Sequence, residues 1–203
     1  MPEVTTSPPP SLIFKLTSIL DRVDVGELFP KPQPLEVELG AGDGSFLARY
    51  AQRHPERNFF GVERLLGRLR KIDRKGRRAG LDNLRVTRIE ASYFLEFLLP
   101  GGTVSALHVY FPDPWPKRKH RRHRLINERF TELARTILTE NGLIYLRTDD
   151  VDYFSQMTAS FATNQNFLPV ATPEELAEVV TDFEKTFNAR GIPTNRAAYR
   201  KLG

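Results

Sequence analysis

The chain has 203 residues, 40% apolar and 27% charged, a size and balance that suit one globular domain with a sizeable core. It has no cysteine, which excludes disulfides, thiolate nucleophiles and thiolate metal sites, and no apolar run of ~18 residues, which excludes a membrane-crossing helix. A net charge of +5 favours an acidic partner, and the lack of both cysteine and a basic-then-apolar leader fits a cytoplasmic protein.

In chain order, Met1–Ser11 is rich in Pro, Ser and Thr and reads as disordered. Leu12–Leu28 reads as a short helix. Phe29-Pro30-Lys31-Pro32-Gln33-Pro34 reads as a stiff linker, because each proline fixes φ and removes a donor. Residues 1–34 are therefore expected to be a flexible Pro-rich segment ahead of one domain, 35–203. From Leu35, strands are predicted at Leu35–Leu39, Asn58–Val62, Leu84–Ile89, Ser105–Tyr110 and Leu143–Arg147. Between them lie helical patterns at Ser45–Arg53, Leu65–Ala79, Ser92–Leu98 and Ile126–Thr139, with Gly80 and Asn141-Gly142 as helix stops. A helix at Val151–Asn164 and strands at Phe167–Val170 and Ala197–Leu202 complete the pattern. This alternation predicts a mostly parallel, doubly wound α/β sheet with helices on both faces.

The first βα unit carries Glu38-Leu39-Gly40-Ala41-Gly42-Asp43-Gly44, a strand entering a glycine-rich turn that lets a ligand approach the backbone. The spacing is G-x-G-x-G, not the G-x-G-x-x-G of dinucleotide sites. Glu38, two residues before the first glycine, repels a pyrophosphate but suits a cation. S-adenosylmethionine supplies such a cation, a sulfonium beside an α-ammonium. Glu63, ending the second strand, suits two ribose hydroxyls, which NAD also carries. Glu90, ending the third, offers an acceptor for an adenine amino group. The three acids form one rim at successive strand ends, which reads as an S-adenosylmethionine site ahead of an NAD site.

The fourth strand leads into Phe111-Pro112-Asp113-Pro114-Trp115-Pro116, then Lys117-Arg118-Lys119-His120-Arg121-Arg122-His123-Arg124. An acid in a proline-stiffened loop at a strand's carboxyl end describes an active-site edge. The basic run behind it, read as too charged to be buried, describes a grip on phosphates. Together they point to an enzyme acting on nucleic acid. Simpler readings stand beside these. Asp113 also suits a turn start, Trp115 either stacks on a base or anchors its loop, and Thr181-Asp182-Phe183-Glu184 fits a helix capping box. His108, in an apolar strand, reads as a core residue. His120 and His123 lack acidic companions at metal spacing, so no metal is expected. Arg64–Arg78 holds eight Lys and Arg. Its basic face, with Arg68 and Lys75, either solubilises the helix or extends an RNA footprint.

The glycine loop, the Phe111–Lys117 segment and Thr181–Glu184 with Gly191 and Ile192 together resemble the bacterial-type tRNA (guanine-N7)-methyltransferases. The resemblance spans about Leu35 to Leu202. It implies a Rossmann-like class I methyltransferase fold, seven strands with the last antiparallel. It implies methyl transfer from S-adenosylmethionine to guanine N7 in the variable loop of tRNA, at position 46. Carried over by position, it assigns Glu38, Gly40, Gly42, Glu63, Glu90 and Asp113 to the cofactor and catalytic site. Glu90 stands where the family more often has Asp or Asn. Lys117, Asp149, Thr181, Asp182, Phe183 and Glu184 are assigned to substrate, and Lys119, His120, Arg121, Arg122, His123 and Arg124 to RNA. Either Asp113 or Asp149 is then expected to hold the guanine edge. The expected partner is tRNA, with no metal and no membrane, and the protein acts as a monomer or homodimer. Two rival readings are an RNA-binding protein with a relict pocket and a methyltransferase for small molecules or proteins.

Overall fold

The computed structural model describes residues 10–203, so most of the segment expected to be disordered, residues 1–9, lies outside the described residues. Seven strands form one sheet: β1 (Leu35–Leu39), β2 (Asn58–Val62), β3 (Leu84–Thr87), β4 (Val104–Tyr110), β5 (Leu138–Thr148), β6 (Phe167–Val170) and β7 (Asn195–Lys201). Their order is β3-β2-β1-β4-β5-β7-β6. β1 to β5 pair in parallel, and β7 runs antiparallel between β5 and β6. The helices are α1 (Leu47–Arg53), α2 (Leu66–Arg78), α3 (Ala91–Tyr93, continued by a wider turn to Leu98), α4 (Glu128–Ile137), α5 (Val151–Ala162), α6 (Glu174–Glu178) and α7 (Asp182–Asn188). The fold class is the one the alternating pattern predicts. Among the described residues no helix is long and apolar enough to cross a membrane.

Two apolar layers sandwich the sheet. One joins Val37, Leu39, Val62, Leu107, Val109, Ile144 and Leu146 to Phe94 beyond α3, Phe130 of α4 and Phe161 of α5. The other joins Phe59, Val86, Ala106 and Tyr145 to Leu47 and Tyr50 of α1, Ile72 of α2 and Leu176 of α6. Gly61 in β2 has no room for a side chain: a Cβ there would stand 2.5 Å from Leu47 Cδ2. That close approach seats α1 on the sheet.

Three local expectations change. Asn141-Gly142 does not stop a helix; α4 ends at Ile137, and the pair lies inside β5 where the register with β4 shifts, Asn141 taking φ 60°. α6 and α7 form between β6 and β7, where no helix was predicted beyond the Thr181 cap. Leu12–Leu28 forms no α-helix; at its start the open edge of β3 takes the backbone groups of Leu12–Phe14 instead. Ile13 bridges Val86 in parallel, the Phe14 N–H donates to the Val86 carbonyl at 2.8 Å, and the Leu12 carbonyl accepts from the Val86 N–H at 3.0 Å. The Leu12 N–H donates to Asp73 at 2.7 Å, and its side chain is buried over Gly76. The strap thus covers a sheet edge that would otherwise be unpaired. Leu12→Ala is expected to lower unfolding stability in urea by about 2–5 kcal/mol. A loss below about 0.5 kcal/mol would show the strap to be loosely attached.

Candidate active site

Strand alternation sets the site. Val37 and Leu39 face one core, so Glu36 and Glu38 face the other. Register carries this parity across the sheet: Glu38 lies beside Gly61 and His108, His108 beside Tyr145, and Tyr110 beside Arg147. Glu36 is fully partnered, by Arg57 at 2.9 Å and His108 Nε2 at 2.7 Å. Burial opposes its ionisation, but these partners hold its carboxyl below the usual range. His108 is a core residue, its other nitrogen 2.8 Å from the Tyr110 hydroxyl. Glu38 differs. It is 3% exposed, and its Oε2 has no hydrogen-bond partner among the described residues. Burial pushes its carboxyl up to about 8, with Arg147 pulling it down and Asp43 and Glu63 adding to the rise. A buried oxygen without a partner fits a cation from outside the chain.

Beyond Glu38 the chain enters the glycine turn. Gly40 and Gly42 take φ 79° and 57°, with open space where a Cβ would stand. The Gly42 N–H donates to Glu63 Oε2 at 3.0 Å and the Leu65 N–H to Oε1 at 2.8 Å. Each Glu63 oxygen keeps a further lone pair for a hydroxyl. Asp43 is buried in part, yet the Lys75 ammonium, 2.6 Å away, holds its carboxyl below the usual range. Glu90 is exposed and caps α3, its Oε2 accepting from Ser92 Oγ at 2.5 Å and the Tyr93 N–H at 2.9 Å.

These residues line two adjoining lobes. The outer, about 370 Å³, includes Gly40, Glu63, Glu90, Asp113 and Trp115. The inner, about 280 Å³, includes Glu38, Gly42, Asp113, Asp149, Thr181 and Phe183. Asp113 lies in both, as do Arg68, Tyr110 and Phe111. The loop carrying Asp113 is framed by two non-glycine residues in the left-handed region, Phe111 at φ 51° and Trp115 at φ 44°. Such conformations persist only where the surroundings enforce them. Here the Phe111 N–H donates to the Arg147 carbonyl at 2.8 Å, and Arg124 Nε donates to the Pro114 carbonyl at 2.7 Å.

That second contact corrects the reading of Arg124. Its side chain is 1% exposed, bonded to Asp152 at 2.6 Å and Gln156 at 2.8 Å, and it covers the Tyr153 ring. It anchors the loop from below and is not open to RNA. Lys117, Lys119, Arg121 and Arg122 are exposed, with His120 and His123 beside them on a short turn of helix, although Arg121 also pairs with Asp152 at 3.0 Å. Lys117 lines neither lobe.

The Thr181–Glu184 segment is divided in the same way. Thr181 Oγ1 accepts from the Glu184 N–H at 3.0 Å, so it caps α7 while lining the inner lobe. Phe183 is half exposed, with Arg68 over its ring. Asp182 points to a different groove, beside Lys185 and Arg49. Glu184 is wholly buried, pairing with Arg147 at 3.1 Å and with Arg196. It holds the segment in place and offers substrate no contact. Arg147 also donates to the carbonyls of Val179 and Leu176 and stacks on Tyr110, its guanidinium carbon 4.2 Å from the ring centroid. Sequence reading passed over Arg147 and took Arg68 only as part of the basic face of α2. An arginine closing the apolar run Leu143–Leu146 was the available signal for the first. Arg68 was hidden among the many cations of α2.

A family model described as "Putative methyltransferase" matches residues 32–197. The chain is 35% identical over 185 residues to a tRNA (guanine-N(7)-)-methyltransferase of Leifsonia xyli subsp. xyli, covering 89% of this chain and 82% of that one. It is 30% identical over 181 residues to a protein of the same name from Thermotoga maritima, covering 89% of this chain but only 58% of that longer relative. Among solved structures, the 16S rRNA methyltransferase KamB superposes with a TM-score of 0.60 at 15% identity, over 84% of this chain and 89% of that one, a likeness of fold.

Removing Glu184 strands two arginines, one of them buried. Glu184→Ala is expected to lower stability by about 3–5 kcal/mol in urea unfolding. A cost below about 1 kcal/mol would mean that the α7 segment is held in place by other contacts.

Proposed function

The chain belongs to the tRNA (guanine-N7)-methyltransferase family, and on that premise we propose that it transfers a methyl group from S-adenosylmethionine to N7 of guanine in tRNA. The finer assignment is position 46, in the variable loop. The observation that carries this reading is the buried, unpartnered oxygen of Glu38 in a cavity that Asp113 also lines. When bound, S-adenosylmethionine supplies an electrophilic methyl on a sulfonium, and transfer leaves a neutral thioether. Glu38 seats the positively charged end of the cofactor, Glu63 takes the ribose hydroxyls, and Glu90 stands beside the adenine.

Guanine N7 carries a lone pair and no proton, so Asp113 need not act as a base. Its task is to hold N7 in line with the breaking methyl–sulfur bond and to stabilise the positive charge arriving on the purine. Asp113 lines both lobes, which suits a group standing between cofactor and base. Asp149 lines only the inner lobe, beside Thr181, which suits acceptance of the guanine N1–H and N2–H₂. The exposed cations from Lys117 to Arg122 hold the phosphates, and their binding weakens with salt.

The test is transfer of labelled methyl into unmodified tRNA, followed by nucleoside analysis. Label in 7-methylguanosine is expected, and its loss when position 46 is changed to adenine. Label in any other nucleoside overturns the reading. Asp113→Ala is expected to lower kcat by roughly 10²-fold or more with an unchanged unfolding midpoint. Near-wild-type turnover would remove Asp113 from the mechanism.

A further inference from the structure

We propose that Trp115, with the cleft beside it, is a stacking subsite for an unpaired RNA base flanking the methylated guanine; this rests on the tRNA reading above. Trp115 is the chain's one tryptophan. A tryptophan that merely anchored its loop would be buried, yet Trp115 is 38% exposed. Its backbone is at φ 44°, a region that a bulky side chain avoids unless something enforces it. Enforcement comes from below, where the buried Arg124 holds the preceding carbonyl of Pro114. The loop is thus fixed in a conformation that leaves the indole open.

The surroundings match a base. The His123 ring lies 5.2 Å from the indole, tilted by 49°, and the His120 ring 5.9 Å, edge-on at 86°, so two aromatic rings pack beside it. A cleft of about 450 Å³ adjoins it, with Trp115, His123, Arg122, Arg129 and Phe130 among its walls. That volume suits a nucleoside. Arg122 is exposed, and Arg129, 71% exposed, pairs among the described residues only with Glu96, an arrangement worth little and readily exchanged for a phosphate. Asn127, the cleft's amide, is occupied: it caps α4 and donates to the Arg124 carbonyl. Stacking on the Trp115 face is itself tolerant of sequence. Trp115 and His123 also line the outer lobe with Asp113, which puts the subsite beside the residue proposed to stand between cofactor and base.

The single tryptophan makes the test direct. Indole emission is recorded on the full chain, titrated separately with tRNA, heparin and S-adenosylmethionine, and corrected for absorption. Heparin fills a phosphate grip but carries no bases. Quenching by tRNA alone is expected. Equal quenching by heparin, or a response produced entirely by the cofactor, overturns the subsite. In methylation kinetics, Trp115→Ala is expected to raise KM for tRNA roughly tenfold or more, with Trp115→Phe recovering most of it. An unchanged KM overturns the proposal even where wild-type protein forms 7-methylguanosine. Absence of that product in the wild type would instead remove the underlying function.

Discussion

Glu36 and Glu38 stand two residues apart on β1 and face the same buried layer, yet only one of them is paid for within the chain. Glu36 is ionised because Arg57 and His108 hold it. Glu38 has Arg147 nearby but no bond to its Oε2, and burial holds its carboxyl protonated to about 8. Its folded pKa lies above its ordinary 4.5, so the stability linked to its proton is complete below 4.5 and is lost as pH rises towards 8. A cation arriving at Glu38 reverses that loss. That unpartnered oxygen is the observation on which the proposed cofactor site rests.

The rest of the architecture keeps that acid in position relative to the reacting groups. β4 and β5 deliver the Asp113 loop and Asp149 to the same end of the sheet as the glycine turn. Buried arginines then fix the two irregular segments. Arg124 holds the Pro114 carbonyl from beneath, and Arg147 joins the Phe111 turn, the Leu176 and Val179 carbonyls at the end of α6 and the Glu184 carboxylate. In a reaction with no proton to remove, such rigidity is the main catalytic resource. In the proposed function the exposed cations supply attraction, and the buried ones supply geometry.

Much of this was legible in the chain itself. The alternation of strands and helices carried the fold, because parallel strands buried on both faces need apolar runs with helices between them. The glycine turn, Glu63 and the Asp113 loop could be placed at strand ends because strand ends are where α/β sheets bind ligands. What escaped was decided by partners distant in sequence. Nothing in Leu35–Leu39 distinguishes the paired Glu36 from the unpaired Glu38, since Arg57 and His108 meet only in the fold. Arg124 looks like its neighbours in a basic run until Asp152 and Gln156 are seen to bury it. Glu184 completes a capping pattern, but its burial depends on Arg147 and Arg196. The Leu12–Phe14 strap was mistaken for a helix because its partner is the open edge of β3, which local pattern cannot show.

The most direct measurement of the central claim is proton release on cofactor binding. S-adenosylmethionine is titrated calorimetrically at pH 7 in buffers of different ionisation enthalpy. With the Glu38 carboxyl near 8 before binding and ionised afterwards, release of roughly one proton per site is predicted, and Glu38→Gln should abolish it. Binding without proton release, or with the same release in the variant, would contradict the role of Glu38 as the seat of the cofactor's charge.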